Sequence, residues 1–355
     1  MPLTIKSIRP RAVNVPLRKP HPTAGGSVTS APLVLIDLET SEGVTGRSYL
    51  FGYTALVLKP LAQLVQSLGE LLTGDPVMPL DLNRKLQARL RLLGQQGLAG
   101  MAVAGIDMAA WDAAAVAAGL PLASFLGGAP KPVAAYHSCG MSGVEGSRAD
   151  AEETVALGFD AIKFKVGHAD VAQDVAAIRA ARDAGLKLMV DYNQSLDIVS
   201  AIARGRVLDQ EGLVWIEEPT TAEDYAGHAQ IAAAINTPVQ MGENMWGPGD
   251  VAKALDARAS DAIMLDVMKI GGITGWLAAM ALADARGIRV SSHLFPEISA
   301  QLLSVARAPQ YLEYQDWAAP ILQEPIVVAK GLAQTTTRPG MGLAWDEDFI
   351  ALHLV

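Results

Sequence analysis

The sequence is poor in cysteine and in charge, and each shortage argues against a class of protein. Among 355 residues Cys139 is the single cysteine, so no internal disulfide can form and a secreted, disulfide-stapled fold is disfavoured. We therefore predict a cytoplasmic protein. No His/Asn partner pattern accompanies Cys139, which favours a small packing residue over a nucleophile. Only 18% of the residues are charged and 50% are apolar, which allows a large buried core.

Positive charge and long apolar runs are also scarce. Lys and Arg number 28 against 37 Asp and Glu, which gives a net charge of −9 and a pI near 5.2. Without a basic stripe, this balance argues against nucleic acid or an anionic membrane as a partner. The N-terminus lacks the apolar core of a signal peptide, and polar residues interrupt the most apolar helical patterns before about 18 residues have passed. We therefore predict no membrane-spanning helix.

The pattern of apolar residues divides the chain into three parts. Residues 1–125 combine three strand-like segments (12–17, 33–38 and 43–50) with helical patterns over 54–71, 80–93 and 99–117, which predicts an α+β domain. Residues 126–320 alternate between short apolar strands and helices. Residues 321–355 have the pattern of strand and loop, and we predict that they pack back on the first domain and complete it.

The second part contains eight predicted strands. They cover residues 132–136, 161–166, 187–190, 213–216, 238–241, 262–265, 288–292 and 311–313. These segments are mostly apolar rather than alternating, which is typical of a sheet that is covered on both faces. Successive βα units with right-handed crossovers predict a TIM-like barrel.

Acidic and basic residues follow these strands at a nearly constant interval. From Lys165 onward the gaps are 26, 26, 26, 23, 27 and 20 residues, about the length of one βα unit. Because the ends of parallel strands converge at one end of a barrel, we predict that these side chains form a single site. The residues are Lys163, Lys165, Asp191, Glu217, Glu243, Asp266, His293 and Glu313.

Asp191, Glu217 and Glu243 follow three adjacent predicted strands. Converging carboxylates repel each other and raise each other's pKa, and a divalent cation removes that penalty. An all-oxygen ligand set favours Mg²⁺ over zinc. The alternative is that each acid caps the following helix or pairs with a lysine, which does not account for three acids at equal spacing. We therefore predict a magnesium site.

Lys163 and Lys165 are two residues apart on one predicted strand, so their side chains point to the same face. We expect each ammonium group to depress the other's pKa, which makes one of them available as a base near neutral pH. A solvated basic edge is the alternative, but the apolar residues on either side of the pair disfavour it.

The opposite side of the predicted site carries a second base. Asp266 can fix the imidazole tautomer of His293, which makes the histidine a general-base candidate. Glu313 is a candidate for a protonated acid that faces a developing oxyanion, or alternatively for an ion pair with Lys269 or Arg307. Bases on opposite faces of a metal suit removal of the proton beside a carboxylate from either enantiomer, through an enediolate that the metal stabilises.

Ten segments that run through nearly the whole chain resemble the mandelate racemase group of the enolase superfamily. They are APLVLIDL (31–38), RSYLFGYT (47–54), AGIDMAAWDA (104–113), KFKVG (163–167), VDYNQSLD (190–197), WIEEPT (215–220), QMGENMWGP (240–248), DVMKIGG (266–272), SSHLFPEISA (291–300) and YLEY (311–314). The resemblance implies a (β/α)7β barrel with an α+β capping domain, and a homo-oligomer, either an octamer or a dimer.

The resemblance also implies a role for each residue of the site. Mg²⁺ would be held by the three acids, Lys165 and His293 would be opposed bases, and Lys163 and Glu313 would contact the substrate carboxylate. The remaining residues expected to contact the substrate or support the site are Ser138, Asn193, Lys269, His21, Val28 and Tyr53. The predicted substrate-covering loop, 20–28, departs from the family's valine-rich pattern at His21 and Gly25. His21 is either a substrate contact or an exposed loop residue.

These expectations lead to one preferred function and three alternatives. We predict Mg²⁺-dependent racemisation or epimerisation of a 2-hydroxy acid, a small-molecule carboxylate. The first alternative is dehydration of a sugar acid at the same site, in which the enediolate expels a β-hydroxyl group. A non-catalytic binding protein on the same scaffold is disfavoured because every ligand and base is present. Muconate lactonisation would leave the His–Asp pair without a role.

Overall fold

The structure is a computed structural model that describes residues 3–23 and 26–355. The N-terminal part of the chain folds into an antiparallel sheet that is covered by helices. The sheet has the order β1-β2-β3. Its strands are β1 (Ile5–Thr23), β2 (Gly26–Thr40) and β3 (Thr45–Phe51). A 3₁₀ turn (Ala55–Val57) and four helices follow: α1 (Leu58–Glu70), α2 (Pro79–Arg89), α3 (Gly97–Ala117) and α4 (Leu122–Phe125). The predicted α+β capping domain is confirmed.

Small residues let the helix α3 lie directly against the sheet. A Cβ atom at Gly46 on β3 would stand only 2.0 Å from the backbone oxygen of Ala109, and Ser48 Oγ donates a hydrogen bond of 2.7 Å to the backbone oxygen of Gly105. This helix is 21 residues long and apolar enough to cross a membrane, but 83% of its most apolar window is buried inside the protein. Asp107 and Asp112 interrupt this helix, as expected from the sequence, and the helix forms part of the core.

The second part of the chain is a barrel of eight parallel strands. In chain order they are β4 (Val133–Ser138), β5 (Ala161–Lys165), β6 (Lys187–Asp191), β7 (Ile216–Glu217), β8 (Val239–Met241), β9 (Ala262–Asp266), β10 (Arg289–His293) and β11 (Leu312–Tyr314). The helices between them are α5 (Gly143–Ala156), α6 (Val171–Arg182), α7 (Ile198–Leu208), α8 (Tyr225–Ala234), α9 (Pro248–Ala257), α10 (Gly272–Arg286) and α11 (Pro296–Ser304). This is the predicted (β/α)7β order.

The last strand closes the barrel. β11 pairs in parallel with β4, with Glu313 opposite Tyr136. On its other side, the backbone N–H of Ser292 on β10 donates to the backbone oxygen of Tyr311, which directly precedes β11, at 3.0 Å. The strands β4 to β10 pair with their sequence neighbours, so the carboxyl ends of all eight strands surround one opening.

The C-terminal part contacts both the barrel and the capping domain. After a 3₁₀ helix (Asp316–Ile321), it contains β12 (Val328–Ala329), β13 (Leu332–Ala333) and α12 (Glu347–His353). β13 pairs antiparallel with β4, a contact that the sequence did not predict. Trp345 Nε1 donates to Asp37 Oδ1 of β2 at 2.8 Å, and Arg11 pairs with Glu347 at 2.5 Å. The tail therefore packs on the capping domain as predicted.

The end of β1 is fastened over the opening of the barrel. Lys19 Nζ lies 2.6 Å from Asp150 Oδ1 on α5, and Arg18 lies 2.6 Å from Glu153 one turn later. The backbone N–H of Met141 donates to the backbone oxygen of Pro22 at 2.8 Å. These contacts hold the end of β1, which contains His21, across the strand ends.

Candidate active site

The three predicted metal ligands converge at the carboxyl ends of neighbouring strands. Asp191 closes β6, Glu217 closes β7, and Glu243 lies two residues beyond β8. One carboxylate oxygen of each residue lies within 4.8 Å of the other two. Burial, with Asp191 and Glu243 adding to it, raises the pKa of Glu217 to about 8, which shows how costly it is to hold these charges together. A divalent cation offsets that cost, so the donor set fits Mg²⁺.

The two lysines form ion pairs with these acids. Lys163 Nζ lies 2.5 Å from Glu217 Oε1, and Lys165 Nζ lies 3.2 Å from Asp191 Oδ2. Burial lowers the pKa of both lysines, but the carboxylates outweigh burial and raise both pKa values above their usual range. Lys163 does lower the pKa of Lys165, as predicted, but the acids outweigh this effect. Neither lysine therefore has the lowered pKa that we expected, because the sequence does not show how close the acids are.

His293 and Asp266 close the adjacent strands β10 and β9 and lie opposite each other in the sheet register. His293 Nδ1 is 2.6 Å from Asp266 Oδ2, while Asp266 Oδ1 accepts the backbone N–H groups of Met268 and Lys269 at 2.8 and 2.9 Å. The aspartate is therefore fixed on both oxygens and orients the imidazole as predicted. Burial lowers the pKa of His293, but the surrounding carboxylates raise it to about 9.

Glu313 lies between the two sides of the site. Its Oε1 is 3.0 Å from Lys163 Nζ and its Oε2 is 3.7 Å from His293 Nε2, and Oε2 also accepts the backbone N–H of Leu294 at 3.0 Å. Burial raises the pKa of this acid, but Lys163 and His293 outweigh burial and hold the pKa well below its usual range. Glu313 is thus a carboxylate here, not the protonated acid we predicted, and its partner is Lys163 rather than Lys269 or Arg307.

Asn193 and Ser138 lie where the sequence predicts. Lys165 Nζ donates a hydrogen bond to Asn193 Oδ1, and the backbone N–H of Asn193 donates to Asp191 Oδ1 at 2.7 Å. The backbone of Asn193 is left-handed, with φ of 42°, a conformation that asparagine tolerates better than most residues. Ser138 closes β4. It lines a cavity of about 220 Å³ at the strand ends, which Lys165, Asp191 and Asn193 also line.

Lys269 stands behind the cavity rather than in its wall. Its Nζ donates to Asn244 Oδ1 at 2.6 Å and lies 4.6 Å from the centre of the Tyr53 ring, a cation–π distance. Tyr53 itself lines the cavity. Lys269 therefore supports Tyr53 and the loop after β8.

The capping-domain residues His21 and Val28 also line the cavity. His21 is only 8% exposed, so it is not the exposed loop residue that we considered, and burial together with Lys165 lowers its pKa to about 4. It presents a neutral ring to the site at neutral pH. Gly25, the other departure from the family pattern, lies outside the described residues.

Sequence reasoning missed the aromatic wall of the cavity. Trp317 follows the last barrel strand, and its ring centroid lies 5.4 Å from that of His21 and 5.2 Å from that of Phe51. Phe51 in turn lies 4.6 Å from Tyr53. Leu294 and Gln315 line the same cavity. These residues carry no charge and do not follow the regular interval of the charged residues. The one feature of the sequence that pointed to them was the position of Trp317, four residues after Glu313.

Cys139 is buried beside the site and does not line its cavity. It is 6% exposed, and burial raises the pKa of its thiol well above the usual range. Its Sγ lies 3.5 Å from His137 Nδ1. A thiol that stays protonated is a poor nucleophile, so the interpretation as a packing residue is supported.

Both parts of the chain match known protein families. Residues 5–127 match the mandelate racemase / muconate lactonizing enzyme N-terminal domain, and residues 146–349 match the enolase C-terminal domain-like family. The chain belongs to the enolase superfamily. The predicted fold, a TIM-like barrel with an N-terminal capping domain, is that of this family.

Relatives of this enolase superfamily protein include magnesium-containing structures of different chemistry. An enolase from Bradyrhizobium, solved with magnesium and mandelic acid, is 45% identical, with a TM-score of 0.95 over 100% of this chain and 99% of that chain. A racemase from Streptomyces coelicolor A3(2) with bound magnesium is 28% identical, with a TM-score of 0.93 over 99% and 100%. The L-talarate/galactarate dehydratase of Salmonella typhimurium is 31% identical over 90% of this chain and 82% of its own length. The magnesium prediction is thereby confirmed.

Proposed function

We propose that this enzyme removes the proton beside the carboxylate of a 2-hydroxy acid and returns a proton on the opposite face, as a racemase or epimerase. The observation that carries the proposal is the placement of the two bases. Lys165 contacts Asp191, and His293 Nε2 lies 3.4 Å from Glu243 Oε2. Asp191 and Glu243 are the outer members of the carboxylate cluster, so the bases flank its opposite ends.

The proposal assigns one task to each residue. Lys165 takes the proton from one enantiomer and His293, held by Asp266, takes it from the other. Asp191, Glu217 and Glu243 would hold Mg²⁺, which would supply positive charge that offsets these acids and the negative charge that develops on the substrate. Lys163 and Glu313 would hold the substrate carboxylate, and Asn193 would contact the α-hydroxyl group.

The cavity wall supports a substrate with an apolar or aromatic substituent. Phe51, Tyr53 and Trp317 present ring surface, and the burial that keeps His21 neutral removes its charge from this wall. Aromatic and apolar side chains bind flat apolar groups better than polyhydroxylated chains, whose hydroxyl groups need hydrogen-bond partners. The relative that was solved with mandelic acid agrees with this substrate class.

Dehydration of a sugar acid is the second candidate function. The same two bases serve it, with one of them protonating the departing β-hydroxyl group. It is favoured by the similarity to the talarate/galactarate dehydratase and by Thr23 and Gln315, polar residues that line the cavity. The product distinguishes the two candidates, because only dehydration yields a 2-keto-3-deoxy acid.

The test is exchange of the α-proton in deuterated solvent with Mg²⁺. Both enantiomers of mandelate, a panel of other 2-hydroxy acids and a panel of sugar acids would be followed by NMR, by optical rotation and with a keto-acid reagent. We expect exchange from both enantiomers of a 2-hydroxy acid without keto product. Keto product from a sugar acid would replace the proposal by dehydration, and absence of exchange from every 2-hydroxy acid would refute it.

Two variants test the assignment of the bases. We expect Lys165→Ala and His293→Asn each to abolish exchange from one enantiomer while the other enantiomer still exchanges. His353→Asn on α12, far from the strand ends, is the matched histidine control and should leave both rates unchanged. Unchanged turnover in both base variants would mean that the bases are misassigned. A homo-oligomer and a cytoplasmic location remain part of the proposal.

A further inference from the structure

The N-terminus of α10 is capped by a residue from the other domain. α10 begins at Gly272, directly after Gly271, and these two glycines have left-handed φ values of 76° and 98° and offer no capping side chain. Asp107 of α3 fills this place, because its Oδ2 accepts the backbone N–H of Thr274 at 3.0 Å and its Oδ1 accepts the Thr274 hydroxyl at 2.5 Å. A carboxylate at a helix N-terminus satisfies free N–H groups and interacts favourably with the helix dipole.

The contact between the domains is close and polar. A Cβ atom at Gly272 would lie 2.3 Å from Asp107 Oδ2, so this approach requires glycine. Trp111, one turn beyond Asp107 on α3, donates its indole N–H to Thr274 Oγ1 at 2.9 Å. Asn83 of α2 donates to Asp107 Oδ1 at 3.0 Å. Three capping-domain side chains thus fix the start of one barrel helix.

A short segment with internal hydrogen bonds connects the start of α10, where Asp107 binds, to the His293 side of the site. The backbone N–H of Gly272 donates to the oxygen of Val267 at 2.9 Å, and that of Ile270 donates to the oxygen of Asp266 at 2.9 Å. Asp266 then holds His293 Nδ1. The seven-residue segment from Asp266 to Gly272 is therefore fixed at its site end by the imidazole and at its other end by Asp107.

Among the residues that the structure describes, the Lys165 side of the site has no connection to Asp107. Its link to the capping domain runs through the end of β1, because the backbone N–H of Lys165 donates to the oxygen of Gly140 at 3.3 Å and that of Met141 donates to the oxygen of Pro22 at 2.8 Å. The loop after Lys165 is held by Asp174 of α6, which accepts the backbone N–H groups of Gly167 and His168 at 3.0 and 3.1 Å and pairs with Arg204 of α7 at 3.0 Å. These residues all belong to the barrel. The two proposed bases are thus linked to different parts of the capping domain, His293 to Asp107 on α3 and Lys165 to Pro22 at the end of β1.

We propose that Asp107 of the capping domain is a positioning residue for the Asp266–His293 pair and not for Lys165. The inference rests on the proposed function only in the assignment of His293 and Lys165 to opposite faces. It predicts that loss of the Asp107 cap disturbs proton transfer on one face of the substrate selectively. Loss of a residue that merely supported the fold would affect both faces equally.

The first test needs neither substrate nor metal. In ¹⁵N-histidine-labelled protein, the Nδ1–H proton of His293 reports its bond to Asp266, and His293→Asn assigns the signal by removing it. We expect Asp107→Asn to broaden the signal or move it upfield. Asp112→Asn is the matched control, because Asp112 is a buried acid of the same helix that accepts N–H groups from Arg47 and Met341. An Asp107→Asn signal identical to that of the native protein would overturn the inference.

The second test measures α-proton exchange from each enantiomer of the 2-hydroxy acid that the native enzyme accepts. We expect Asp107→Asn to slow exchange on the His293 face by about 10- to 100-fold relative to the Lys165 face, as is typical of a partner that orients a site residue. Asp112→Asn should leave the ratio of the two rates unchanged. Equal slowing on both faces would overturn the inference, whereas no exchange by the native enzyme would instead refute the proposed function.

A second variant guards against misfolding of Asp107→Asn. Thr274→Val keeps the shape of the side chain but removes its hydroxyl group, which forms hydrogen bonds with both Asp107 and Trp111. Thr274→Ser retains the hydroxyl group. We expect the valine variant to change the ratio of the two exchange rates in the same direction and the serine variant to restore it. A native ratio in Thr274→Val, together with a native His293 signal, would count against the positioning role.

Discussion

Asp107 makes a specific prediction about how the stability of this protein depends on pH. The side chain is 2% exposed, and burial raises its pKa from 3.8 to about 7 in spite of the hydrogen bonds from Thr274 and Asn83. The folded protein therefore binds this proton more tightly than the unfolded chain does. Consequently Asp107 lowers the free energy of unfolding as the pH rises from 3.8 through 7, and its contribution is constant outside that window.

The size of the effect follows from the two pKa values. A difference of about three pH units, at about 1.4 kcal/mol each, gives about 4 kcal/mol. Asp107→Asn carries no titratable group at this position. We therefore expect the free energy of unfolding of the native protein, minus that of Asp107→Asn, to fall by about 4 kcal/mol between about pH 4 and pH 8.

The assay is urea denaturation followed by tryptophan fluorescence, at one protein concentration, without Mg²⁺, across this pH range. Asp112, whose pKa burial raises to about 6, should give a smaller fall of about 3 kcal/mol in the same comparison. A flat difference for Asp107→Asn would refute the reasoning, because the carboxylate would then titrate as it does in the unfolded chain.

Three further predictions concern the site and its supports. Asp191→Asn should weaken Mg²⁺ binding by about 10-fold or more, measured by calorimetry, because it removes one charged donor of three; unchanged affinity would place the metal elsewhere. Trp317→Ala should raise the KM of an aromatic 2-hydroxy acid by about 2- to 10-fold, since one aromatic contact contributes about 0.5–1.5 kcal/mol, whereas Trp317→Phe should recover most of the loss. Gly272→Ala should lower the free energy of unfolding by about 2 kcal/mol or more, because a side chain at this left-handed position would meet Asp107; a native melting temperature would contradict this.

The regular spacing of charged residues predicted the centre of the site because it reflects the topology. Asp191, Glu217 and Glu243 each follow one parallel strand, and the barrel brings the ends of such strands together whatever the details of packing. The partnership of His293 with Asp266 follows from the same argument, since their strands are neighbours.

The protonation states did not follow from the sequence, because they depend on distances of a few ångströms. We expected Lys163 and Lys165 to lower each other's pKa. Glu217 lies 2.5 Å from Lys163 and Asp191 lies 3.2 Å from Lys165, and these acids reverse the direction of the net pKa shift. Glu313 differs from its prediction for the same reason, with Lys163 at 3.0 Å.

The aromatic wall did not follow either, because its members come from distant segments that no common interval relates. Phe51 ends a strand of the capping domain, and Trp317 lies in the 3₁₀ helix that follows the last barrel strand. Only the packing of the two domains brings their rings within 5.2 Å. Charge periodicity is a property of one domain, whereas the substrate-facing surface is a property of the contact between two.

The bond between Trp345 and Asp37 joins residues that are 308 positions apart in the chain, and this separation determines the order in which the protein can assemble. Contacts between distant segments form late, because the intervening loop must first lose conformational freedom. The sheet of the capping domain and its helices can fold while the barrel is still being synthesised. The wall that Trp317 completes must wait until nearly the whole chain has emerged, so the enzyme acquires its metal-binding acids before it acquires a pocket that can select a substrate.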